Sequence, residues 1–130
     1  MPPFLTDGNL ISSVAYNLVK NVLGEPNTDN SGIATLSLEN VQGFPEDAVF
    51  VPEGARNYKE FAAFRVSDNG AGFSQDKNWL EYFTRCPEKR QHGFGLYFTG
   101  LVAKMLRAPI GISSKPGNTR VSFYQPIYPN

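Results

Sequence analysis

The chain has 130 residues, 41% of them hydrophobic, and its 12 basic side chains balance its 12 acidic ones. This size and apolar content predict one folded domain over residues 1–130 rather than a disordered chain. The balanced charge argues against a nucleic-acid-binding protein. The single cysteine, Cys86, rules out an internal disulfide, and no apolar run approaches the roughly 18 residues of a membrane span. We therefore expect a cytoplasmic domain with no membrane contact of its own, any anchor of the full-length protein lying outside this segment.

The first half of the chain predicts one helix, one strand and one long loop. Apolar residues recur every four positions over Leu10–Val22, which is typical of a helix with one buried stripe, and Gly24–Pro26 ends it. Apolar and polar residues alternate over Ile33–Val41, as in a strand. The glycines and prolines of Gln42–Tyr58 indicate a long loop.

The second half predicts further strands and helices, in this order: strand Phe61–Val66, turn Asn69–Phe73, short helix Lys77–Thr84, helix Tyr97–Leu106, and strands Ile110–Ser114 and Thr119–Gln125. Helices that interrupt paired strands favour, within the broad α/β class, an α+β two-layer sandwich. We expect a mixed, mostly antiparallel sheet with helices on one face. Such a fold leaves a pocket between the helix layer and the loops.

Two asparagines lie on the predicted first helix. Asn17 and Asn21 are four residues apart and therefore share a helix face. Amide oxygens are hard, neutral ligands that suit an Mg²⁺ ion bridging phosphates. Taken alone, such a pair is more often a polar helix edge in solvent.

Two glycine-rich segments border predicted elements. Asp68–Phe73 follows a strand, where a carboxylate can accept a hydrogen bond from a ring amine and glycines let the backbone approach a flat ring. A plain strand-ending turn also fits it. His92–Leu96 opens a helix, where exposed N–H groups and the helix dipole favour phosphates, although a flexible helix start fits equally well. Without Gly-Lys-Ser/Thr there is no P-loop, and one late Gly-x-Gly argues against a dinucleotide-binding fold.

In this order, the motifs resemble those of the catalytic ATP-binding domain of sensor histidine kinases (HATPase_c), a GHKL-superfamily domain with the Bergerat fold. Asn17–Asn21 is similar to the N box of that family and Asp68–Phe73 to its G1 box. Leu80–Phe83 is similar to the F box and Gly93–Leu96 to the G2 box. The hairpin Ser114–Phe123 is similar to the terminal hairpin, so the resemblance spans nearly the whole chain.

The resemblance implies ATP or ADP and Mg²⁺ as ligands. Asp68 would bond the adenine amine, and Asn21 would ligate Mg²⁺ with Asn17 beside it. Residues 74–92 would form a lid over the nucleotide, with several basic side chains in reach of the γ-phosphate. The other implied nucleotide contacts are Lys20, Gly70, Gly72, Phe73, Gly93, Phe94, Gly95, Leu96 and Thr119.

The implied activity is that of a histidine protein kinase, inactive on its own. It would pass the γ-phosphate to a histidine on a separate dimerisation domain and act indirectly on a response regulator. The span Leu10–Leu23 contains no Asp or Glu, so this helix offers no general base to activate water, which favours phosphotransfer over hydrolysis. The same absence counts against an anti-sigma-type serine kinase, which remains an alternative. The only histidine, His92, lies in the presumed phosphate loop and is badly placed as an acceptor.

Some segments depart from the pattern of that family. Val22–Glu25 lacks the basic residue usual after the N box, so that phosphate contact is either missing or made by Lys20 or another residue. Asn118 stands where the hairpin usually has glycine. The loop Gln42–Tyr58 is also longer than usual. These departures favour a second alternative, a degenerate Bergerat-fold module that binds a partner without catalysis.

Overall fold

A five-stranded sheet forms the centre of the fold. The computed structural model describes residues 12–17, 34–68, 83–84, 94–115 and 118–127. Every neighbouring pair of described strands is antiparallel, in the order β1-β3-β5-β4-β2. The strand bounds are β1 Ala34–Gln42, β2 Ala48–Phe50, β3 Glu60–Asp68, β4 Ile110–Lys115 and β5 Asn118–Pro126.

The described helices pack on one face of this sheet. Helix α1 covers residues 12–17 and helix α2 covers Phe94–Leu106, while residues 83 and 84 are also helical. Successive side chains of a strand point to opposite faces, so alternate residues of β3 and β5 meet the helices. The resulting core is made of buried residues from both layers, namely Val14, Phe50, Val66, Phe83, Val102, Ala103, Ala108, Ile110, Val121 and Phe123. The α+β class predicted from the sequence is confirmed.

The opposite face of the sheet carries a second, smaller core. Phe61 and Tyr124 are buried there together with Ala63, and their rings meet edge to face with centroids 6.3 Å apart. Phe44 covers Phe61 in a second edge-to-face contact of 6.1 Å. The guanidinium of Arg56 lies 4.5 Å above the Phe44 ring. Both faces of the central strands are therefore covered, one by helices and the other by the segment before β3.

The segment Gln42–Tyr58, predicted to be one long loop, contains two short elements of regular structure. This segment contains β2, which pairs with β4, and a short 3₁₀ helix, Ala55–Asn57. Phe50 is 3% exposed and belongs to the helix-side core, which explains why three residues suffice to hold a strand here. Burial of a large aromatic ring outweighs the loop-forming tendency of the neighbouring prolines and glycines.

In the part of the chain that the structure describes, no helix has the length and apolar character needed to cross a bilayer.

Candidate functional site

Asp68 and Thr119 are register partners on two adjacent inner strands, β3 and β5. Asp68 is the last residue of β3, and its register partner on β5 is Thr119. The same two strands pair Val66 with Val121 and Phe64 with Phe123, residues of the helix-side core or packed against it. Asp68 comes two positions after Val66 on β3, and Thr119 two positions before Val121 on β5. Two residues that sequence analysis singled out separately are thus brought together at one end of the sheet.

Helix α2 begins near the same end of the sheet. It starts at Phe94, three residues before the start predicted from the sequence, so Phe94, Gly95 and Leu96 form its first turn. Only Arg107–Pro109 separates α2 from β4, and both elements pack in one core, so they run in opposite directions. The far end of β4 pairs Ser114 with Thr119. The amino end of α2, with its unpaired N–H groups and positive dipole end, therefore points toward the end of the sheet that carries Asp68 and Thr119.

Helix α1 belongs to the same layer. Val14 is 1% exposed and lies in the helix-side core. Asn17 is half-buried and lies three positions further on, which makes it a surface neighbour of Val14 on the helix. Asn17 is therefore on the border of the face that packs against the sheet, which suits a residue that projects toward a cleft between the layers.

Other predicted site residues lie outside the described residues. These are Lys20, Asn21, Gly70, Gly72, Phe73 and Gly93, together with most of the predicted lid 74–92. The magnesium site assigned to Asn17 and Asn21 and the adenine contacts of the glycines accordingly remain predictions.

Gly100 is a residue of this region that sequence analysis missed. It lies in the middle of α2, fully buried, and a β-carbon at this position would collide with the backbone carbonyl of Phe83. Phe83 is the last residue of the predicted F box, is 1% exposed and packs against Phe50 with ring centroids 5.8 Å apart. Glycine within an apolar helix is a signal that another backbone approaches closely, and here it lets the end of the predicted F box rest directly on α2.

A polar cluster on the opposite face of the sheet was also missed. The Tyr124 hydroxyl donates a hydrogen bond of 2.6 Å to Oδ1 of Asp47, and Oδ2 of Asp47 lies 3.9 Å from Nη2 of Arg120. The carboxylate fits above β4 because residue 111 is glycine, where any side chain would collide with it. Burial raises the pKa of the Tyr124 hydroxyl to about 12, and its hydrogen bond to Asp47 adds to the rise. This cluster fastens the 43–58 segment to β5 and lies on the face away from the helices.

No family model matches the chain, and the search of curated proteins finds no relative. The assignment of a function therefore rests on the sequence motifs and the geometry alone.

Proposed function

We propose that this chain is the ATP- and Mg²⁺-binding catalytic domain of a sensor histidine kinase, with the Bergerat fold. The observation that carries the proposal is the pairing of Asp68 with Thr119 at the sheet end toward which α2 begins. Asp68, which would bind a purine amine, and the start of α2, which would bind phosphates, then lie at the same end of the sheet.

The chemistry asked of these residues is binding and positioning. Asp68, at the end of β3, accepts a hydrogen bond from the exocyclic amine of adenine, with Thr119 as its register partner on β5. The N–H groups of the first turn of α2 hold the phosphates, whose negative charge the helix dipole favours. A bound Mg²⁺ supplies neutralisation of phosphate charge, and the amide of Asn17, on the border of the packed face of α1, fits the role of a neutral oxygen ligand.

Phosphotransfer fits this chain better than hydrolysis. The span Leu10–Leu23 offers no carboxylate to activate water, and an imidazole needs none because it is itself a nucleophile. The acceptor histidine is assigned to a separate dimerisation domain, since the single histidine, His92, immediately precedes in the sequence the segment proposed to hold the phosphates. A response regulator would be the eventual recipient of the phosphoryl group.

A second candidate function is partner binding without catalysis. The absence of a basic residue in Val22–Glu25 and the asparagine at position 118 favour it, because both weaken expected phosphate and adenine contacts. A serine kinase of the anti-sigma type is a third candidate, and phosphate transfer to a serine of a partner would identify it.

Calorimetric titration with ATP, with and without Mg²⁺, tests the proposal. The single tryptophan, Trp79, lies in the predicted lid segment and provides a fluorescence readout of the same titration. We expect ATP binding that strengthens with Mg²⁺, and negligible steady hydrolysis by the isolated chain. Absence of binding at millimolar ATP and ADP would instead support the binding-only module.

Two variants locate the site. Asp68→Asn should weaken ATP binding by about 1–3 kcal/mol, the range for a hydrogen bond to a charged group. Asn21→Ala should abolish the effect of Mg²⁺ while the fold persists. The matched controls are Glu46→Gln and Asn40→Ala, two exposed positions outside the proposed site, which should bind ATP as the parent chain does. Normal binding by both Asp68→Asn and Asn21→Ala would refute the site.

A further inference from the structure

A cavity lies at the far end of α2, away from the proposed nucleotide site. Its volume is about 740 Å³, within the roughly 300–1,000 Å³ typical of small-molecule sites. It opens between the carboxyl end of α2 and the segment that follows β2. Among its lining residues are Glu53, Gly54, Asn57, Lys104 and Arg107. The thirteen residues of α2 separate it from the amino end of the helix by about 18 Å.

Arg107 lines this cavity and has an unusual backbone conformation. Its φ angle is 57°, and it is the one non-glycine residue with positive φ in the described part of the chain. It occupies the position after α2 where helices usually end in glycine, and Ala108 N–H closes the turn by donating to the Ala103 carbonyl at 2.9 Å. A residue kept in a conformation that glycine adopts more easily points to a role for its side chain.

The side chain of Arg107 is held in place. Its Nη1 donates to the Tyr58 hydroxyl at 3.3 Å, and its stem packs on Gly54, where an added β-carbon would lie 3.3 Å from Arg107 Cδ. An ordered guanidinium loses less freedom when it binds an anion than one that moves in solvent. The contacts therefore prepare a cationic group at the wall of the cavity.

The other polar lining residues indicate the chemical class of a ligand that would fit the cavity. Lys104, one turn before Arg107, adds a second cation, and Asn57 adds an amide that can donate or accept. Cations also suit a helix carboxyl end because of its dipole, but this explains neither the cavity nor the backbone of Arg107. Among the described lining residues Glu53 is the only acidic one. Its charge would repel a bare polyanion, whereas its carboxylate can accept a hydrogen bond from a ligand hydroxyl.

We propose that this cavity binds a small organic anion with a hydroxyl group beside its carboxylate or phosphate. Arg107 and Lys104 hold the anionic group, and Glu53 accepts from the hydroxyl. This proposal does not depend on the proposed nucleotide site, and its test is separate from the ATP titration.

The test is a titration of the full chain with malate and with glycerol 3-phosphate, followed by amide chemical shifts and calorimetry. We expect shifts at Gly54, Asn57 and Lys104 with at least one of the two compounds at millimolar concentration, and none with glycerol. A response to malate alone identifies a carboxylate ligand, and a response to glycerol 3-phosphate alone identifies a phosphate ligand. No shift with either compound overturns the proposal.

Variants separate a binding role from a structural one. Arg107→Gly gives the helix end its preferred residue, so the thermal midpoint should hold while affinity falls about tenfold or more. Lys104→Gln, at an exposed helix position, should also weaken binding. Lys59→Gln, an exposed lysine outside the cavity, is the control with the same change of charge. Equal losses in Lys104→Gln and Lys59→Gln would mean unspecific attraction and would overturn the site.

Discussion

Raising the pH above 10 should destabilise this domain through one buried phenol, that of Tyr124. The side chain is 2% exposed, and its hydroxyl donates to the Asp47 carboxylate at 2.6 Å. Burial, reinforced by that hydrogen bond, raises the pKa of the hydroxyl from 10.0 to about 12. The folded chain therefore keeps a proton that the unfolded chain releases.

The direction and size of the effect follow from these two pKa values. Because the pKa is raised in the folded state, the stabilisation is fully present below pH 10 and is lost as the pH rises toward about 12. One pKa unit corresponds to about 1.4 kcal/mol, so the loss of folding free energy across this window is on the order of 3 kcal/mol. This is a large share of the roughly 5–15 kcal/mol that stabilises a typical domain.

Urea unfolding at a series of pH values measures this loss directly. Tyr124→Phe should be less stable than the parent at neutral pH by about 1–3 kcal/mol, because the part-buried Oδ1 of Asp47 loses its donor. Above pH 10 its stability should fall less steeply than that of the parent. Tyr16→Phe, at a 67% exposed position, is the control and should keep the slope of the parent. Identical slopes for Tyr124→Phe and the parent would refute the reasoning.

Two further substitutions test the packing around the predicted F box, both by urea unfolding. Gly100→Ala should lower the free energy of unfolding by about 1–3 kcal/mol, because its methyl group collides with the Phe83 backbone. The control Leu101→Ala, at a 40% exposed position of the same helix, should lower it less. An unchanged stability of Gly100→Ala would contradict the close approach of the two backbones. Phe50→Ala should cost about 3–5 kcal/mol, well above Val49→Ala at its 38% exposed neighbour, and equal costs would argue against β2 as part of the core.

Local patterns were sufficient for most of the fold. Alternation predicted β1, and the run Phe61–Val66 predicted β3, both to within two residues at each end. The hairpin of β4 and β5 followed from the turn residues between its two strands. Strand β2 could not be predicted, because Ala48–Phe50 is too short to show a period. It exists because Phe50 reaches the core and β4 offers an edge, and neither fact is visible in the neighbouring sequence.

For the candidate site too, the sequence identified individual residues but not the long-range contacts between them. The sequence marked Asp68 and Thr119 individually as turn or strand-end residues, but their pairing depends on how β3 and β5 align over their whole length. The hydrogen bond between Asp47 and Tyr124 joins residues 77 positions apart, beyond the reach of any local pattern. Only glycine at position 111, inside a short apolar strand, hinted that a side chain crosses above it.

The burial of β5 on both sides limits how this chain can change in length. Every residue from Val121 to Pro126 is buried, alternately against the helices and against the aromatic cluster of the other face. One inserted residue would exchange the two sets and bring Arg120 and Ser122 to the side now held by valine and phenylalanine. Insertions in this strand would be tolerated only in pairs, whereas the hairpin before it is the place where single insertions and deletions should accumulate among descendants of this sequence.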